Sequence, residues 1–520
     1  MALTPVAGVV ERLTSAVAIL DSRRKSIKKR QPDMILFFNP RATRPKNRRY
    51  PLSILAVAAM AEGREDYAIV DGNIDDHPQV AMGRIMRERP ARMLAVTVMP
   101  GPQMVAAIPV CRWFKETYPG VPIVWGGYFP SLYTDVALNA KYVDFVVRGQ
   151  GEDTFVELLA AIENGQPLTG IRGLSFKDAF GLHVHNPERP LKSPGEFPVM
   201  PYHRLDAGKY LLPSFLGSRT VVHQASIGCP YQCNFCGVVG FSGSREKMET
   251  PERTAGVLAL LQRNYGANAV QFYDNNFFVK EEQARELADR MAPLGMNWWC
   301  EARVDAVLRY SDETLRKIRA SGCVMIFFGV ESGSNKKLAE MKKQITAEQS
   351  LELAARLKQA GIVPEYSLIF GDPRDSEADF YDTVAFARKV KHINPAIEII
   401  VQTYVPVPQR RGEMYGKLDN FEFPTTPEEW ATDRWFRFAV RKDPDLSWLP
   451  PELRRKIYGF ETVMNARWPT VQDWRLPPWA RLMLKGLGSW RYACGAFDNP
   501  VELRWAQKMV RLREPRLESL

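Results

Sequence analysis

Residues 225–240, ASIGCPYQCNFCGVVG, place three of the chain's seven cysteines, Cys229, Cys233 and Cys236, within eight positions. They close an apolar run, RTVVHQASIG (219–228), that reads as a β-strand, so the thiols are expected on a loop at its carboxyl end. Downstream the pattern recurs. AVQFYD, WWCEARV, VMIFFGVE, VPEYSLIFG and IEIIVQTYV read as strands, with helical spacing near 251–265, 281–292, 311–321, 346–360 and 376–392 between them. Six βα units over 219–410 predict a partial or complete barrel, whose chemistry sits at the carboxyl ends of its strands. The cysteine loop therefore belongs to the working rim.

Three thiolates suit a soft metal or an iron–sulfur cluster, whereas structural zinc nearly always takes four ligands. His223 is the one nearby residue able to complete a zinc site, and it falls inside the expected strand; unliganded core cysteines are the third reading. An iron left open to bind substrate accounts best for the missing fourth ligand. The other cysteines, Cys111, Cys300, Cys323 and Cys494, are scattered and the total is odd, which argues against a disulfide framework and for a reducing, cytoplasmic setting.

Upstream, from residue 34, MILFFN, YAIVD, MLAVTV, PIVWGG and VDFVVRG alternate with amphipathic stretches, predicting a doubly wound parallel sheet of about five strands over 34–185. The class is α/β. Residues 1–33 read as an extension and the Pro- and Gly-rich 186–218 as a linker. After 410 the rhythm is lost: eight of twelve tryptophans lie between Trp430 and Trp505, and 411–520 reads as a mostly helical module. With 520 residues, 45% hydrophobic and 25% charged, the chain has the composition of a multidomain globular protein. The net charge of +11 gathers in no stripe and accompanies no nucleic-acid motif, so nucleic acid is not an expected partner. No apolar run approaches ~18 residues, so no transmembrane segment is expected, and Glu11 with the basic run after it is the wrong order for a secretory signal.

The C-x3-C-x2-C spacing with Phe235 before the last cysteine resembles the radical S-adenosylmethionine (SAM) superfamily. The resemblance implies that Cys229, Cys233 and Cys236 hold a 4Fe-4S cluster whose unique iron chelates SAM, and that reductive cleavage yields a 5′-deoxyadenosyl radical. Other strand ends agree. Asp274, Asn275 and Asn276 stand where the family places polar groups against the methionine ammonium, although the usual Gly-Gly-Glu is absent. Arg303 is similar to an arginine that reaches the methionine carboxylate; the alternative is a surface ion pair. FFGVESGSNKKL resembles the Glu-Ser-Gly-Ser signature and puts Glu331 and Ser332 near the ribose or amino acid, with helix capping as a second role for Ser332 or Ser334. Gly371 and Pro373 resemble the Gly-x-Pro turn that approaches the adenine. These matches make Phe235, Asp274, Asn275, Arg303, Glu331, Ser332 and Gly371 the candidate SAM-binding residues.

The first sheet lacks G-x-G-x-x-G. Its pieces FFNPRATRPKNRRYPLSILAVAAMAE, TVMPGPQ, VWGGYFPSL and VDFVVRGQGEDTFVELL resemble cobalamin-binding domains fused to radical SAM barrels. That resemblance assigns the cobalamin-binding role to Thr97, Val98, Met99 and Gly101, to Gly126, Gly127, Tyr128 and Ser131, and to Gly149. D-x-H-x-x-G, which supplies a histidine to cobalt elsewhere, is missing, and Phe129 stands where relatives often have histidine. The architecture implies methylation of an unactivated carbon of a small, apolar metabolite, with magnesium-protoporphyrin monomethyl ester cyclase-like ring chemistry as the alternative and a non-catalytic cobalamin or iron–sulfur sensor as the other class. A flavodoxin or ferredoxin is the expected electron donor. Tyr404, a weak catalytic candidate, and Arg410 are placed near substrate. The carboxyl-terminal module is expected to pack its tryptophans against the barrel; the competing readings are a lid or a peripheral membrane contact.

Overall fold

Met34–Asn39 (β1) is buried along its whole length, as a strand covered on both faces must be. The computed structural model describes residues 34–407, 421–441, 444–473 and 476–510; the extension 1–33 and Arg410 lie outside them. From β1 the chain runs through α1 (Leu52–Ala61), β2 (Tyr67–Asp71), α2 (Pro78–Glu88), β3 (Ala91–Thr97), α3 (Pro102–Thr117), β4 (Ile123–Gly126), α4 (Tyr128–Leu132), α5 (Thr134–Asn139), β5 (Phe145–Val147) and α6 (Glu152–Glu163). The strands pair in the order β2-β1-β3-β4-β5, all parallel. Order reverses between β1 and β3, and that switch opens a crevice at the carboxyl ends.

The sheet has seven strands where the sequence suggested about five. β6 (Leu174–Lys177) and β7 (His183–His185) add an antiparallel hairpin at the β5 edge. Three- and four-residue strands are too short for a period-two pattern to show. The segment after them straps the two units together: Tyr202 and Tyr210 pack on Tyr50 with ring centroids 5.2 and 4.9 Å away, and the Tyr210 hydroxyl donates to buried Asp71 at 2.8 Å.

The second unit starts with β8 (Thr220–His223), β9 (Ser226–Gly228), α7 (Gly237–Ser242), β10 (Glu246–Met248), α8 (Pro251–Tyr265), β11 (Ala269–Phe272) and α9 (Glu281–Met291). It continues through β12 (Asn297–Ala302), α10 (Val304–Leu308), α11 (Asp312–Ala320), β13 (Cys323–Glu331), α12 (Asn335–Glu340), α13 (Ala347–Ala360), β14 (Val363–Phe370), α14 (Ser376–Ile393) and β15 (Glu398–Thr403). Six parallel strands in the order β15-β14-β13-β12-β11-β8 make a partial barrel. The run 219–228 is not one strand. It breaks after His223, and β9 leaves the barrel to pair antiparallel with β10. The cysteine loop thus hangs from this hairpin and does not follow the first barrel strand directly.

The carboxyl-terminal helices are α15 (Pro427–Trp430), α16 (Asp433–Ala439), α17 (Pro451–Arg467), α18 (Pro478–Cys494) and α19 (Val501–Val510). Their tryptophans do not all face the barrel. Trp430 packs on Phe129 and Tyr133 of the first unit, with centroids 5.4 and 4.6 Å apart, while Phe460 of α17 meets Phe370 of β14. Among the described residues, no helix is long and apolar enough to cross a membrane.

Candidate active site at the barrel rim

The cysteine loop runs from Gly228, which has φ of +84° and lies so near Arg245 that a Cβ would fall 2.1 Å from its carbonyl oxygen. Cys233 is buried with Phe235, Met341, Ile369 and Tyr404, and Tyr231, Cys236 and Trp448 pack around them. Burial above all, then the neighbouring thiols, push the Cys229 thiol up to about 11, and burial and Cys233 raise Cys236 likewise. Three thiolates can share this pocket once cationic metal offsets their charge. Among the described residues no three His, Cys, Asp or Glu side chains converge on one metal ion. His223 is held elsewhere, its Nε2 3.0 Å from Glu249 Oε2 in a buried pair.

Arg303 is not a surface residue. It is 5% exposed, lies 3.6 Å over the Tyr231 ring, and donates to Asp305 at 2.9 Å, to the Cys233 sulfur at 3.3 Å and to the Lys343 carbonyl. Glu331 ends β13 at a register shift with φ of +70°, a conformation that costs a non-glycine residue of order 1–3 kcal/mol and marks functional sites. Its carboxylate accepts from buried Lys343 Nζ at 2.6 Å. Ser332 is buried and accepts from the Ser334 amide at 3.1 Å, and Ser334 is the N-cap residue of α12 without a side-chain cap bond, so neither serine side chain caps the helix in the expected way.

Asp274 accepts from Ser226 Oγ at 2.6 Å through one oxygen; its other oxygen and both amide atoms of Asn276 are buried with no hydrogen-bond partner. Orphaned buried polar atoms at a strand end are what a bound polar ligand would satisfy. Burial pushes the Asp274 carboxyl up to about 7. Gly371 has φ of +85°, donates its amide to Asp379 at 3.0 Å and accepts from Trp448 Nε1 at 3.2 Å. Asp379 is fixed in turn by buried Lys337 at 2.6 Å.

A cleft of about 450 Å³ lies between this rim and the carboxyl ends of the first sheet. Thr97, Met99, Gly126, Gly127, Tyr128 and Gly149 line one side; Gln224, Tyr273, Asn275 and Glu301 line the other. It also runs inward past Phe37, Ile54, Val124 and Phe155, between the strands and helices α1 and α6. Gly127, at φ of +97°, approaches Thr97 so closely that a Cβ would lie 2.9 Å from its hydroxyl. An apolar slot floored by backbone suits a flat, extended group such as a cobalamin tail. None of the residues lining the cleft is a histidine.

Val98, Gly101 and Ser131 do not line the cleft. The Val98 amide donates to Gly126 at 2.9 Å, Ser131 Oγ joins Gly127 and Gly149, and Gly101 turns toward Val440. They brace the wall and are not part of its surface.

The Radical SAM superfamily model matches residues 224–387 and the B12 binding domain model residues 39–159. The chain is a B12-binding radical SAM enzyme. Its cofactors are a 4Fe-4S cluster, SAM and cobalamin. The enzyme is 29% identical over 344 residues to an uncharacterized methyltransferase of Pyrococcus horikoshii, covering 65% of this chain and 73% of that one. It is 26% identical over 313 residues to the anaerobic magnesium-protoporphyrin IX monomethyl ester cyclase of Synechocystis sp., covering 59% of this chain and 60% of that one. In fold it is similar to the radical SAM methyltransferase TsrM from Kitasatospora setae, with a TM-score of 0.63, 16% identity and coverage of 92% and 99%.

Lys343, Lys337, Asp379 and Glu301 escaped sequence reading. Lys343 acts through Glu331 and Lys337 through Asp379, contacts that no local pattern announces, and only Glu301, within WWCEARV, carried a local signal.

Proposed function

We propose that this enzyme transfers a methyl group to an unactivated carbon of a small metabolite. The observation that carries the reading is the single cleft walled by both the first sheet's strand ends and the barrel rim. When bound, the cluster and SAM supply a 5′-deoxyadenosyl radical and cobalamin supplies the methyl group. The chain's own residues bind, orient and exclude water. Cys229, Cys233 and Cys236 hold the cluster, and Phe235 and Tyr404 wall it from solvent. Asp274, Asn275 and Asn276 are assigned to the methionine ammonium, Arg303 to its carboxylate and Glu331, Ser332 and Gly371 to the nucleoside. Thr97, Met99, Gly126, Gly127, Tyr128 and Gly149 are assigned to cobalamin. Glu301, on the barrel side of the cleft, is assigned to substrate. No general base is needed, because the removed hydrogen leaves as an atom.

The similarity to the cyclases favours a second reading, ring closure without methylation. An anaerobic turnover assay separates the two. Methylation yields S-adenosylhomocysteine together with 5′-deoxyadenosine, and cyclisation yields no S-adenosylhomocysteine. Absence of SAM cleavage by the reconstituted enzyme would overturn both. A flavodoxin or ferredoxin in a reducing cytoplasm is the proposed electron source; none of the described cysteines is in a disulfide.

A further inference from the structure

Six of the twelve large apolar side chains that stand exposed among the described residues lie on the last two helices: Trp479, Leu482 and Trp490 on α18, and Val501, Trp505 and Met509 on α19. They include every exposed tryptophan of the described chain. On α18 the exposed positions 479, 482, 486, 490 and 493 recur at three- and four-residue steps, and on α19 Val501, Trp505 and Met509 do the same, so each helix presents an apolar stripe. The opposite faces are firmly seated. Ala480, Leu484 and Gly488 are buried on α18, where a Cβ on Gly488 would lie 2.8 Å from the Arg467 amide, and Leu503 and Ala506 are buried on α19. Each helix is therefore anchored through one face, and its apolar stripe lies on the other.

The charges beside them decide what covers them. Lys485, Arg504 and Lys508 are exposed, and the two helices carry one carboxylate, Glu502, which Arg491 neutralises. A two-fold contact with a second copy would set these cations against one another. Anionic headgroups would offset them, and tryptophan is the side chain that settles best at a headgroup boundary.

We propose that α18 and α19 form a docking face for an anionic lipid surface, with Trp479, Leu482, Trp505 and Met509 entering the headgroup–acyl boundary and Lys485, Arg504 and Lys508 meeting lipid phosphates. The face lies outside the cofactor cleft and tethers the enzyme without a membrane-spanning helix.

The test uses the cofactor-loaded enzyme and vesicles of phosphatidylcholine with or without phosphatidylglycerol. Sedimentation with the mixed vesicles, weakened by salt and by omission of phosphatidylglycerol, is expected, as is tryptophan quenching by brominated acyl chains. The triple variant Trp479→Ser, Leu482→Ser, Trp505→Ser should bind the mixed vesicles about tenfold or more weaker and form 5′-deoxyadenosine at an unchanged rate. Lys485→Glu with Lys508→Glu should abolish the preference for phosphatidylglycerol. Failure to bind the mixed vesicles, or binding undiminished in the triple variant, would overturn the proposal. So would a dimer that the triple variant dissociates while vesicles recruit nothing.

Discussion

The Tyr128 hydroxyl stands so close to Gly237 that a Cβ there would lie 1.8 Å from it. Tyr128 opens α4 behind β4 of the first sheet, and Gly237 follows Cys236 and opens α7. The wall assigned to cobalamin and the loop assigned to the cluster therefore touch at single-atom range. A glycine is required at this point by the close approach, since its backbone lies outside the left-handed region.

Gly237→Ala should consequently push the two loops apart. Overpacking of this kind costs about 1–3 kcal/mol, read as a lower thermal midpoint, and should weaken cobalamin binding. Tyr128→Phe in the same background removes the 1.8 Å contact but leaves Cζ at 2.8 Å, so partial recovery is expected. Unchanged stability in the single variant would show that the loops are not coupled here.

Each of Cys229→Ala, Cys233→Ala and Cys236→Ala should remove the iron–sulfur absorption and 5′-deoxyadenosine formation, while cobalamin still binds at the first sheet. Arg303→Lys is a finer probe. The planar fork that reaches Asp305, the Lys343 carbonyl and Cys233 together cannot be copied by an ammonium. SAM cleavage should fall with cobalamin binding unchanged, and retained cleavage in Cys233→Ala would refute the cluster assignment.

What the sequence made legible was local. Cys229 to Cys236, the Glu331–Ser332 turn and the strand-end glycines are read from neighbours in the chain, and the buried strand β1 from its apolar run. What it hid depends on distant partners. β8 and β9 looked like one strand because His223, Gln224 and Ala225 interrupt neither polarity nor length. The packing of Trp430 on Phe129 joins residues some three hundred positions apart, and no local pattern announces it. Exposure of Trp479 and Trp505 is likewise a property of the finished surface.

Lys337 and Asp379 form a buried pair that also fixes the Gly371 amide and the Ile369 carbonyl. Removing one member leaves the other charge uncompensated, at a cost of about 3–5 kcal/mol. Lys337→Met alone and Asp379→Asn alone should each lower the denaturation midpoint strongly and loosen SAM binding. The double variant Lys337→Met, Asp379→Leu should recover stability without recovering SAM binding, because the Gly371 turn stays unanchored. Recovery of both would assign the pair a purely structural role.

Glu301 supplies the pH test. Burial first, then the carboxylates of Glu365 and Asp274, push it up to about 8, against ~4.3 in an unfolded chain. Below the unfolded value both states hold the proton and stability is at its full level. Between the two values the unfolded chain ionises while the folded one does not, so stability is lost as pH rises through the folded pKa. The apo protein should therefore lose stability from this group between about pH 4 and about pH 8, with a slope of up to about 1.4 kcal/mol per pH unit. Asp274, raised to about 7, acts in the same sense, whereas Glu249, lowered despite its burial because it pairs with His223 and Arg253, acts in the opposite one. The difference between wild type and Glu301→Gln isolates the term. Urea midpoints should diverge progressively in favour of the variant as pH rises from about 5 to about 8.5, and parallel curves would show that Glu301 is ionised throughout.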